Sequence, residues 1–149
     1  MKLFVTEFAE NKKEIERSLK PLTEKIIEHL FKLYLLPNNE SVKHWKKEIY
    51  SFIHSIDKLK GSNKRPTSKQ IYEWTFGKKA DIFDDDYYVE VMVDTIEYEY
   101  STTIGKNVNS IKNDMYVLCD NYFKWLSNEL SVKGLISPQS VYAELDNLL

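Results

Sequence analysis

Residues 81 to 100 contain eight Asp or Glu and no Lys or Arg, a net of −8 in twenty residues. Three kinds of behaviour suit such a stretch. The plainest is a solvated helix face. The second is a face for a basic protein partner, carried by Asp84, Asp85, Asp86, Tyr87, Glu90, Asp94 and Glu97, in which tyrosine rings supply contact area and carboxylates supply attraction. The third is a Mg²⁺ site. Glu90, Asp94 and Glu97 fall at i, i+4 and i+7, one stripe of a helix, and helical carboxylates at such spacing hold divalent ions when a facing helix adds another acid. An acid such as Asp114 or Asp120 could supply that, although nothing in the sequence marks it.

The opposite charge lies just upstream. Residues 43 to 80 hold ten Lys or Arg against three Asp or Glu, a net of +7. Lys46, Lys47, Lys64, Arg65 and Lys69, near Trp45, Tyr50, Tyr72 and Trp74, have the composition of a phosphate-tracking surface with stacking rings. Two features weaken that alternative. Trp45 lies on an apolar stripe, and Arg65 is the stretch's one arginine where phosphate readers favour arginine forks. The two charged segments either form separate surface patches or face each other in the fold.

Other chemistry finds little support. His29, His44 and His54 show no metal-binding i, i+4 pairing with one another and no His-Glu-x-x-His arrangement. His54 and Asp57, one turn apart, can share a hydrogen bond. Cys119 is the single cysteine, read as a small buried apolar residue in a reducing compartment rather than a nucleophile. There is no Gly-x-Ser-x-Gly elbow and no glycine-rich phosphate loop. No cofactor is expected, and the sequence favours a non-enzymatic protein.

The elements that would position these groups read as helices. A chain of 149 residues that is 42% hydrophobic, with only four glycines and four prolines, suits one core and long regular segments. Ile15, Leu19, Leu22, Ile26, Leu30 and Leu33 recur at helical spacing. So do Val42, Trp45, Ile49, Phe52, Ile53 and Ile56, and the short link at Pro37 predicts an antiparallel pair. Leu3, Phe4 and Phe8 suggest a short leading helix or a packed arm. Asn11 is a candidate cap for the next helix, which Pro21 either kinks or restarts without a change of phase.

Gly61 to Pro66 reads as a loop. Thr67 with Gln70 forms a capping box opening a helix to Gly77. Residues 84 to 104 alternate in part like a strand, but only a helix keeps one phase throughout, with Met92, Val93, Ile96, Tyr100 and Ile104 opposite the acids and Gly105 as the stop. Asn107 or Asn109 starts a long helix ending before Gly134, and Ser137-Pro138 opens the last one.

The run Glu14-Ile15-Glu16-Arg17, then His29-Leu30-Phe31-Lys32-Leu33, Pro37 and His44-Trp45-Lys46-Lys47-Glu48-Ile49 resembles a bacterial family known only as a domain of unknown function, the twenty-ninth of that series. The resemblance covers about residues 14 to 53. It implies a small helical bacterial protein and transfers no catalytic residue.

The expected architecture is all-α: residues 1 to 149 as a single helical bundle of about six helices around the antiparallel pair. No run approaches the roughly 20 apolar residues that cross a bilayer, and no secretion signal is visible, so the reading is a soluble cytoplasmic protein with no membrane role. The leading function is binding another protein, in a specific version an immunity or antitoxin-type inhibitor of a basic partner. Self-association is a further partner expectation. Nucleic-acid binding through residues 43 to 79 and a Mg²⁺-dependent hydrolase are the alternatives.

Overall fold

The computed structural model describes residues 2–59, 67–105, 107–132 and 134–149, without the side chains of residues 2–12, 14, 15 and 59. Lys64 and Arg65 therefore lie outside the described residues, as do Gly61 and the side chains of Leu3, Phe4, Phe8 and Ile15. Among the described residues six α-helices follow one another: α1 (Lys2–Leu35), α2 (Val42–Leu59), α3 (Ser68–Tyr72), α4 (Asp86–Glu99), α5 (Val108–Ser131) and α6 (Pro138–Leu148). A π-helical turn (Glu73–Gly77) and a 3₁₀ turn (Ala80–Asp84) connect α3 to α4, and no strand occurs among the described residues.

The first helix differs from one expectation. It runs through Asn11 from Lys2, so Asn11 is an interior residue and caps nothing. An interior asparagine costs only a few tenths of a kcal/mol, which the surrounding helix formers offset. Pro21 also lies inside α1. It supplies no amide to the carbonyl one turn earlier, yet the helix continues.

Side-chain contacts fix the direction of the central pair. Glu48 meets His29, and Phe52 meets both His29 and Lys25. Residue numbers rise on α2 as they fall on α1, so the two run antiparallel as the short Leu36–Ser41 link predicts. Helix α6 packs on α2 and α5, and α4 packs on α5, the 3₁₀ turn and α1. All contribute to one core that includes Ile26, Leu30, Phe31, Trp45, Ile49, Phe76, Val89, Phe123 and Leu145.

The capping residues named above act as expected in three places. Thr67 and Gln70 exchange the two bonds of a capping box, Asn107 accepts from the Asn109 amide, and Ser137 accepts from the Ser140 amide ahead of Pro138. Beyond α3 the coil widens. Thr75, fully buried, returns its hydroxyl to the Ile71 carbonyl at 2.8 Å and to the Tyr72 carbonyl at 3.3 Å, and the Lys78 amide reaches back five residues to Glu73. Such back-bonding competes with the regular ladder, and the π turn accommodates it while carrying Phe76 into the core.

Helix α4 confirms the helical reading of the disputed segment but stops earlier than Gly105. Ser101 takes φ 50°, the Thr102 amide donates to the Glu97 carbonyl at 3.0 Å, and the Ser101 amide to that of Tyr98 at 3.4 Å. This pair of bonds is a Schellman stop with serine where glycine is usual. A left-handed serine carries strain that glycine lacks, so Ser101→Gly should stabilise the protein by about 0.5–1 kcal/mol in urea unfolding. Unchanged or lowered stability would count against that strain.

Candidate surface on helix α4

The buried side of α4 is Val89, Val93 and Ile96. The helical period then sends Tyr87, Val91, Asp94 and Tyr98, at i, i+4, i+7 and i+11, to the side away from the core. Their exposure bears this out: Tyr87 is 71% exposed, Val91 43% and Tyr98 90%. Tyr98 and Tyr87 are the two most exposed large hydrophobic residues among those described, and with Val91 they lie on one stripe of a fourteen-residue helix. Scattered exposed apolar residues mean little, but a contiguous stripe is the form an interaction surface takes.

The carboxylates divide between structural and unpaired. Asp85 caps α4 by accepting from the Tyr87 amide, Asp86 pairs with Lys112 at 2.8 Å, and Glu97 accepts from the Ile104 amide at 3.0 Å, tying down the segment after the helix. Asp81, Asp84, Glu90, Asp94 and Glu99 are exposed and form no ion pair with a described residue. Of the residues expected to form the face, Asp84, Asp86, Tyr87, Glu90 and Asp94 are exposed on α4 or at its start, Asp85 is occupied as the cap, and Glu97 is turned toward the chain itself. Val91 and Tyr98 were missed. The signal was present, because 87, 91, 94 and 98 share a helix face, but the alternating Val89-Val91-Val93 run obscured it.

Among the described residues no three His, Cys, Asp or Glu side chains are grouped so as to hold a metal ion. Asp114 accepts from the Tyr34 hydroxyl. Asp120 accepts from Tyr72 and from Lys124, the latter at 2.8 Å. Burial opposes ionisation of Asp120, but these two donors outweigh it and hold its pKa below the usual value. Burial, reinforced by Asp120, pushes the Tyr72 phenol up. Both acids suggested as completing a cation site thus serve contacts between helices.

Among the described residues, no lysine of the basic segment pairs with an acid of residues 81 to 100. Lys46 pairs with Asp146 at 2.6 Å, Lys78 with Glu16 at 2.9 Å and Lys79 with Glu24 at 2.6 Å, all outside residues 81 to 100. Lys47 and Lys69 are exposed. Trp45 is 2% exposed, its ring edge-on to Tyr100, so it is core and offers no face to a base. The Tyr72 hydroxyl is committed to Asp120.

His29 is the one buried histidine, and its partner went unnoticed in the sequence. Glu48 sits between His29 and His44, meeting a ring nitrogen of each. The i, i+4 spacing of His44 and Glu48 was the available sign. Asp57, one turn from His54, accepts the buried Ile136 amide at 2.9 Å and joins the end of α2 to the turn before α6. Cys119 is fully buried, and burial pushes its thiol well up, against any role as a nucleophile.

No helix among the described residues is long and apolar enough to cross a membrane. No protein-family model, curated protein or solved structure matches the chain.

Proposed function

We propose that this is a non-enzymatic helical protein whose α4 face binds a basic surface of another protein. The observation that carries the reading is the exposed Tyr87–Val91–Tyr98 stripe flanked by Glu90 and Asp94, which have no ion pair among the described residues. Tyrosine and valine supply area that gains on leaving water, and the carboxylates steer a cationic partner and discriminate against acidic ones. Inhibition of a basic enzyme, as by an immunity or antitoxin-type protein, is the specific version, because a tyrosine-bearing acidic face covers a cationic site well.

The test is titration of the chain with a lysine-rich helical peptide, followed by amide chemical shifts. Shifts should concentrate on residues 84 to 99. Glu90→Lys with Asp94→Lys should weaken binding at least tenfold, and Tyr87→Ala with Tyr98→Ala should weaken it several-fold. Equal affinity in both variants, or shifts confined to other helices, would remove α4 from the function.

A further inference from the structure

We infer that the α4 face receives the outward face of α2 from a second copy of this chain. The inference rests on α4 being the binding surface, and it names the partner. Opposite the buried Trp45, Ile49, Ile53 and Ile56, helix α2 presents Lys43, Lys47, Ser51 and Lys58 to solvent. Five other lysines are paired with acids, namely Lys46, Lys78, Lys79, Lys112 and Lys124. Lys43, Lys47 and Lys58 form no ion pair with a described residue. One molecule therefore carries an unneutralised acidic face and an unneutralised basic face on separate helices, both turned to water.

The two faces match in spacing as well as sign. Lys43 and Lys47 are one helical turn apart, and so are Glu90 and Asp94, which puts each pair at about 6 Å. Tyr87 and Tyr98 add ring faces for lysine ammonium groups. The chain already uses that contact internally, with Lys25 over Phe52 and Lys32 over Tyr100, each 5.7 Å from the ring centre.

One such contact between two copies leaves one face of each kind open on the pair. The Tyr87–Tyr98 stripe is only about 16 Å long, well short of a standard interface. Association is accordingly weak and salt-sensitive rather than an obligate dimer.

Sedimentation of the full chain across concentration tests this. Weight-average mass should rise with concentration at about 0.05 M salt and return to the monomer at about 0.5 M, where surface charges are screened. Lys43→Glu with Lys47→Glu should abolish the rise, and so should Glu90→Lys with Asp94→Lys. The chain carrying all four reversals should regain it, because both faces have exchanged sign. A monomer at every concentration, or self-association indifferent to either reversal, overturns the inference, as does failure of the fourfold variant to associate while it keeps the wild-type circular dichroism. Peptide titration separates the two readings. If the lysine-rich peptide still binds α4 of a strictly monomeric chain, the foreign-partner reading stands and this inference falls. If neither event occurs, both fall.

Discussion

Phe76→Ala should cost about 3–5 kcal/mol, a large share of the stability of a protein this size. The ring is fully buried and lies parallel to Phe123 with centres 5.3 Å apart. It also contacts Phe83, Tyr116 and Tyr72 at 6.1, 5.9 and 6.0 Å. These partners come from α3, the 3₁₀ turn and α5, so truncation leaves a void where the connecting turns meet the long helix. Rigid aromatic neighbours cannot close it, and the cavity adds to the lost transfer energy. Urea unfolding should show a lowered midpoint with an unchanged slope. Phe76→Leu, which keeps most of the volume, should cost clearly less. A Phe76→Ala loss below about 1 kcal/mol would mean that the π turn repacks freely and that Phe76 does not anchor it.

The position of Phe76 illustrates which parts of the fold were legible. Ile71, Trp74 and Thr75 announce a helix after the Thr67–Gln70 box, and that helix exists. Its widening into a π turn was not legible, because it depends on where the Thr75 hydroxyl finds carbonyls once the residue is buried. The stripe Val42-Trp45-Ile49-Ile53-Ile56 was legible because burial of one face imposes its period directly. The end of α4 was not, since Ser101 occupies a conformation that composition assigns to glycine, and Gly105 four residues on was the more obvious stop.

The surface follows the same division. Acid density at 84 to 97 was visible as charge, but which carboxylates remain unpaired depends on distant partners. Lys112 takes Asp86, and the Ile104 amide takes Glu97. The assignment of Tyr98 to the outward face required the phase of α4 to be fixed by Val89, Val93 and Ile96. Pairing with Lys112 and with the Ile104 amide, not local propensity, therefore decides which acids of α4 stay exposed and without an ion pair among the described residues.

Glu48→Gln should cost about 1–2 kcal/mol at neutral pH and remove part of the acid sensitivity of the fold. His29 Nδ1 lies 2.7 Å from the Lys25 carbonyl, which can only accept, so Nδ1 carries a proton. Nε2 meets the Glu48 carboxylate, which also meets His44. Charged hydrogen bonds of this kind are worth about 1.5–3 kcal/mol, discounted here because the Glu48 side chain is 35% exposed and water screens it. Burial works against the Glu48 carboxylate, but His29 and then His44 outweigh it, and the pKa falls below its ordinary 4.5.

The sign follows from proton counting. Between the lowered folded pKa and 4.5 the unfolded chain binds more protons than the folded one, so stability rises with pH across that window. The contribution is complete above 4.5 and is lost as pH falls through the folded value. Thermal unfolding of wild type from neutral pH downward should steepen in that window, and Glu48→Gln should be flatter there because an amide does not titrate. Lys25, with its ammonium 5.7 Å from the Phe52 ring that packs on His29, also lies beside the site, as does His44 on Glu48. Lys25→Met serves as the control, because it removes a charge without removing the acceptor of the histidine proton. Parallel profiles for wild type and Glu48→Gln would show that the α1–α2 contact is held by packing alone, with the His29–Glu48 pair energetically silent.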